Sequence, residues 1–161
     1  MSADERVFVG LGANLGDAQA ALMTAAQGLA KLPQTQLVQL SRTYRSAPVD
    51  AAGPDFFNAV AELCTALEPE VLLQQLHALE QEQGRLRPYL NAPRTLDLDL
   101  LLFGARVQST PTLTLPHPRL HQRAFVLLPL LALAPELQHP VLGELACWVQ
   151  MTAGQRVEAL P

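Results

Sequence analysis

The stretch Pro93-Arg94-Thr95-Leu96-Asp97-Leu98-Asp99-Leu100-Leu101-Leu102-Phe103 constrains this chain more than any other. Side chains of a strand alternate between two faces. A strand over 95–103 puts Leu96, Leu98, Leu100 and Leu102 on one face and Asp97, Asp99, Leu101 and Phe103 on the other. The second face is not simply wet, because it turns apolar two residues after the carboxylates. Carboxylates at i and i+2 stand about 7 Å apart at Cα and repel each other. Partly buried, such a pair needs a cation. Mg²⁺ is the natural one: it takes oxygen ligands, needs few carboxylates and keeps positions open for phosphate. Arg94 lies just upstream, and Arg85 and Arg87 lie in the loop before it. A carboxylate pair, a metal and an arginine cluster are what phosphoryl transfer requires, since its catalysis is mostly positioning and charge stabilisation.

Charge distribution supports an anion site. The net charge of −4 argues against general nucleic-acid binding. Residues 85–123 nevertheless hold six arginines against two acids. Ten of the eleven cations are Arg, whose planar fork engages two phosphate oxygens at once.

At 161 residues and 49% hydrophobic content, the chain suits a single domain over 1–161 and excludes disorder. No repeat or linker divides it. Residues 1–6 are polar and acidic, unlike a signal peptide. The longest apolar run, 124–135, is too short to span a bilayer. A cytoplasmic protein without membrane contact is expected. Cys64 and Cys147 are too few for a disulfide scaffold and read as buried free thiols.

Strands are expected at 7–9, 37–46, 57–65 and 95–103, with a short one at 113–115. Helices are expected at 18–32, N-capped by Asp17, and at 69–83, entered through Pro69 and stopped by Gly84. Two further helices fill the C-terminal third. Strands and helices interleave without a strict βαβ rhythm, which favours an α+β layer.

Other segments carry candidate chemistry. Gly10-Leu-Gly12-Ala-Asn-Leu-Gly16 imitates a dinucleotide fingerprint, but its third glycine falls one place late. It reads as a tight turn that needs positive φ. No Gly-Lys-Ser/Thr occurs, so any ATP site lacks a P-loop. His117 stands between Pro116 and Pro118, with His121 and Arg123 where a helix begins, a plausible phosphate wall. Phe56 and Phe57 read as core rings by size, though one could face a flat ligand beside Asn58.

Together these motifs resemble the 6-hydroxymethyl-7,8-dihydropterin pyrophosphokinase family of folate biosynthesis. The resemblance rests on 10–17, 46–58, Gly84-Arg85-Leu86-Arg87, Ala92-Pro93-Arg94-Thr95-Leu96-Asp97-Leu98-Asp99, Pro116-His117-Pro118 and Arg123-Ala124-Phe125. It implies a ferredoxin-like α+β fold, a mostly antiparallel sheet flanked by helices. It implies that ATP donates its β,γ-diphosphoryl unit to the pterin hydroxymethyl oxygen and AMP leaves. Asp97 and Asp99 would hold two Mg²⁺ ions, and Arg85 and Arg94 would act catalytically on the phosphates. ATP contacts are implied at Glu80, Arg85, Arg87, Arg94, Leu100, Thr114, His117 and Arg123. Pterin contacts are implied at Ser46, Ala47, Val49, Phe56, Asn58, Asp97 and Phe125, the ligand lying between the two phenylalanine rings. The expected partners are ATP and the pterin, with no nucleic acid, on a monomer. Two alternatives stay open from the residues alone. One is an ATP-dependent transferase with another acceptor. The other is an RNA-binding module, although no aromatic-rich strand is present on which bases could stack.

Overall fold

The computed structural model describes residues 4–14, 16–47, 54–84 and 96–161. Its central unit runs β1 (Glu5–Ala13), α1 (Ala18–Ala30), β2 (Thr35–Leu40), β3 (Tyr44–Ser46), β4 (Phe56–Thr65), α2 (Pro69–Gly84) and β5 (Asp97–Phe103). The C-terminal part adds a hairpin of β6 (Gln108–Ser109) and β7 (Thr114–Leu115), a 3-10 turn at Leu120–Gln122 and α3 (Ala124–Leu133). A small hairpin of β8 (Gln138–His139) and β9 (Gly143–Glu144), a 3-10 helix over Leu145–Thr152 and β10 (Val157–Ala159) complete it.

The main sheet is antiparallel throughout, in the order β10-β3-β4-β1-β5, with β2 also on β4. With β2 and β3 counted as one interrupted strand beside β4, this is the β-α-β-β-α-β, ferredoxin-like order that the resemblance implied. Asp17 caps α1 by accepting the Ala20 N–H at 3.0 Å. Helices α1 and α2 cover one face of the sheet, where Leu22, Leu29, Leu72 and Leu76 meet Val7, Val9, Leu63 and Leu98. On the other face, Leu127 and Leu130 of α3 meet Phe8, Val60, Leu101 and Leu102. Among the described residues no helix is long and apolar enough to cross a membrane.

Four local expectations are corrected. First, strict alternation along β5 holds through Leu101 and fails at Leu102. Val9 pairs with Leu100 and Phe8 with Leu102, so Leu101 is the extra residue of a β-bulge. Beyond it the faces exchange: Leu102 joins Leu101 in the α3-side core, and Phe103 joins Leu98 and Leu100 under α1 and α2. Second, 37–46 is two strands rather than one. β2 lies on the far half of β4 and β3 on its near half. Ser41 fills the gap: its N–H donates to the Val60 carbonyl and its Oγ accepts the Val60 N–H, each at 2.9 Å. Third, the last expected helix is a 3-10 helix, and its inward positions are Leu145, Trp148 and Thr152. Fourth, that spacing leaves Cys147 exposed, while Cys64 is half-buried; both thiols are free.

Candidate functional site

Gly10 and Gly12 do not form a turn. They lie inside β1, with no positive φ, on the face turned away from α1 and α2; of the motif's three glycines Gly16 alone takes a positive φ, 61°. Gly10 pairs with Asp99 and Gly12 with Asp97 on one side; on the other they pair with Val60 and Asn58. Two missing side chains in mid-sheet open a floor between a row of carboxylates and a row on β4. A glycine inside a strand often marks such a close approach.

Above this floor is a cavity of about 330 Å³. Asp97 and Asp99 line it from β5, Phe56 and Asn58 from β4, and Arg123 and Phe125 from the start of α3. Ser46 and Ala47, at the end of β3, complete the wall. Asn58 and Ser46 are both buried, and the Asn58 Nδ2 donates to the Ser46 Oγ at 2.9 Å. That bond fixes the amide so that Oδ1 stands over Gly12, 3.3 Å from where a Cβ would lie. The Arg123 guanidinium sits 5.6 Å from the Phe125 ring centroid, within cation–π range. Asp97 and Asp99 are solvent-reached rather than partly buried. Water and ligands can therefore approach their oxygens from the cavity.

His117 borders a neighbouring groove with Thr114. Its N–H donates to the carbonyl of the bulged Leu101 at 2.9 Å. Its Nδ1 accepts the Arg119 N–H at 3.2 Å, so the neutral ring carries its proton on Nε2. Burial holds its pKa below the ordinary imidazole value; the Asp99 charge opposes this, and Arg123 and Arg119 reinforce it. Thr114 is exposed on β7, whose hairpin is tied to α2 by the Glu70 carboxylate, which accepts from Gln108 and Thr112.

The structure thus gathers Ser46, Ala47, Phe56, Asn58, Asp97, Asp99, Arg123 and Phe125 around one cavity. Leu100 does not line it: its side chain is buried in the core beneath α1 and α2. Glu80 lies on α2, where its carboxylate accepts the Leu98 N–H at 2.8 Å. Arg85, Arg87, Arg94 and Val49 lie outside the described residues. Sequence reasoning missed Gly10 and Gly12 as the floor and Val60 and Val126 as apolar lining. The signal was there for the glycines: two at alternate positions after an apolar run read as one face of a strand.

The residues also bear on a metal. Among those described, no group of three or more His, Cys, Asp or Glu side chains gathers to hold one. Asp97 and Asp99 share one face beside the side-chain-free strip of Gly10 and Gly12. A pair of carboxylates with open space in front suits Mg²⁺, which fills its remaining positions with water and substrate oxygens.

Residues 8–135 match the family model described as 7,8-dihydro-6-hydroxymethylpterin-pyrophosphokinase. A 2-amino-4-hydroxy-6-hydroxymethyldihydropteridine pyrophosphokinase of Pseudomonas aeruginosa is 47% identical over 137 residues, covering 84% of this chain and 85% of that protein. The protein of the same name from Haemophilus influenzae is 40% identical over 134 residues, covering 83% and 84%. The folic acid synthesis protein fol1 of Pneumocystis carinii is 36% identical over 141 residues, and there the match is 87% of this chain but 19% of the relative. Among solved structures, a Plasmodium falciparum HPPK-DHPS triple mutant superposes with a TM-score of 0.74 at 12% identity, over 93% of this chain and 43% of that one. An HPPK-DHPS in complex with substrates gives a TM-score of 0.71 at 12% identity, over 92% and 43%. This chain spans less than half the length of those two-part proteins, and the likeness to them is one of fold.

Proposed function

The chain belongs to the 7,8-dihydro-6-hydroxymethylpterin-pyrophosphokinase family, and from that premise we propose that it makes the pterin diphosphate of folate biosynthesis. The hydroxymethyl oxygen of 6-hydroxymethyl-7,8-dihydropterin attacks the β-phosphorus of ATP. The bond from that phosphorus to the α,β-bridging oxygen breaks, AMP leaves, and the hydroxyl proton is released. The observation that carries this reading is the cavity between Asn58 and the Asp97/Asp99 pair, with Phe56 and Phe125 on its walls. Its volume of about 330 Å³ suits a bicyclic ring.

Each chain element has a role in this reading. The Phe56 and Phe125 rings hold a flat pterin, and the Asn58 amide with the backbone near Ser46 and Ala47 reads its polar edge. Arg123 meets phosphate charge at the cavity mouth, while neutral His117 offers an Nε2–H donor beside it. Arg85, Arg87 and Arg94 supply the remaining charge to the triphosphate, and Thr114 lies toward the nucleotide. Asp97 and Asp99 would hold Mg²⁺, two ions in the full complex, whose charge would screen the triphosphate and make its phosphorus more open to attack. The whole chain is read as one domain working as a monomer. The free thiols suit a reducing cytoplasm.

The test is to mix the protein with ATP, Mg²⁺ and the pterin and to separate the nucleotides. AMP that forms only with pterin present is the expected result, and EDTA should stop it. Asp97→Ala and Asp99→Ala should each abolish turnover in a folded protein. ADP in place of AMP would overturn diphosphoryl transfer, and near-normal rates in both variants would overturn the metal assignment.

A further inference from the structure

The C-terminal segment lies beyond the family-matched residues 8–135, yet it touches two walls of the cavity. Gln155 follows the 3-10 helix, and its own N–H donates to the Thr152 carbonyl at 3.0 Å. Its side-chain amide makes two further bonds. Oε1 accepts the Ala124 N–H at 2.8 Å, and Nε2 donates to the Gln122 carbonyl at 2.8 Å. Those two backbone groups flank Arg123, which is extended (φ −121°, ψ 114°) between the 3-10 turn and α3. In an antiparallel ladder a neighbouring strand would engage that same pair of groups. The Gln155 amide stands in for such a strand across a single residue. It also satisfies the Ala124 N–H, one of the donors that a helix start leaves without an intrahelical acceptor. Arg123 itself has no side-chain cap.

Two residues on, β10 pairs with β3, Val157 opposite Ser46. The Leu160 N–H donates to the Thr43 carbonyl at 2.9 Å, and Arg42 Nε donates to the Leu160 carbonyl at 3.2 Å. One short segment therefore fastens both the Arg123 wall and the Ser46 wall.

We infer that Gln155 is a positioning residue: its amide fixes the Arg123 backbone, and so holds the guanidinium beside Phe125 where substrate phosphate arrives. This rests on the functional reading above for what Arg123 meets. Misplacing a charged group by about 1 Å can cost up to about a hundredfold in rate.

The experiment uses the full chain with Gln155→Ala, Arg123→Ala, the double variant and Gln155→Glu. Gln155→Ala should lower kcat/KM about tenfold, while adding it to Arg123→Ala should cost less than about twofold, the non-additivity expected of residues acting through one another. Gln155→Glu keeps the acceptor but loses the donor when ionised; a protonated carboxyl restores both. Its rate relative to the unaltered chain should therefore recover as pH falls toward about 4.5. A loss of less than about twofold in Gln155→Ala, or losses that multiply in the double variant, would overturn the inference. Amide exchange at Ala124 separates it from the functional reading. Protection lost in Gln155→Ala shows the clamp whether or not the chain turns over ATP. Equal exchange in both chains removes the clamp even in an active enzyme.

Discussion

The Glu80 carboxylate on α2 accepts the backbone N–H of Leu98, the residue between Asp97 and Asp99, at 2.8 Å. The Leu98 side chain points away from the cavity into the core beneath α1 and α2, so α2 holds the carboxylate strand both by packing and by this bond to its backbone. A hydrogen bond to a charged acceptor contributes about 1.5–3 kcal/mol. Glu80→Ala should lower the AMP-forming rate by about tenfold or more. Glu80→Gln, which keeps an acceptor oxygen, should stay within about threefold. Equal losses in the two variants would mean that the charge of Glu80, and not its grip on Leu98, is what matters.

Gly12 tests the cavity floor. An added Cβ would lie 3.3 Å from Asn58 Oδ1, tighter than ordinary contact and on the cavity side of the sheet. Gly12→Ala should raise the KM for pterin by about tenfold, yet leave stability within about 1 kcal/mol, because the methyl meets a single oxygen on the cavity side rather than packed core. Steady-state kinetics with a urea titration reads both. Unchanged pterin affinity would show that the ligand stays clear of the floor.

Acid should weaken the fold through two histidines. Burial lowers the pKa of His117, with Asp99 opposing and Arg123 and Arg119 reinforcing; burial and then His121 lower that of His139. A group held below its unfolded pKa binds fewer protons in the native state. Its stabilisation is complete above an unfolded imidazole pKa of about 6.5 and is lost as pH falls toward the folded value. Urea midpoints should therefore drop between about pH 7 and pH 5. The drop should be smaller in His117→Gln. A midpoint that rises on acidification would contradict the burial argument.

The two thiols should differ in reactivity. Cys147 is exposed. Cys64 is half-buried, and its pKa is raised by burial and then by Asp4 through its charge and a hydrogen bond, so less of it is thiolate near neutrality. Iodoacetamide followed by peptide mapping should label Cys147 first. The reverse order would place Cys64 in a more open setting than its strand gives it.

Much of the fold follows from local signals. Asp17 before an Ala/Leu-rich run and Pro69 at a helix entrance mark α1 and α2 through capping and fixed φ. Asp97 and Asp99 share a face because side chains alternate along any strand, and that holds as far as Leu101. Past that point the partner strand decides. The bulge at Leu101 exists only in register with Phe8 and Val9 of β1, and it reverses the faces of Leu102 and Phe103. Propensity carries no trace of it, because each of these residues is apolar and would be buried either way.

The candidate site divides along the same line. Asp97 and Asp99 with Arg123 and His117 were legible in the sequence through their chemistry and order, and Phe125 through the family resemblance. Tertiary structure alone made Gly10 and Gly12 a floor, since an absent side chain opens space only between occupied neighbours on β4 and β5. It alone brought Gln155 to Arg123, because a side-chain amide and the backbone it grips, 31 residues away in sequence, meet only once α3 and the C-terminal segment have packed on one sheet. Periodicity and capping act within a few residues of chain; register and closure are set by which surfaces meet, and no local stretch of sequence contains both surfaces.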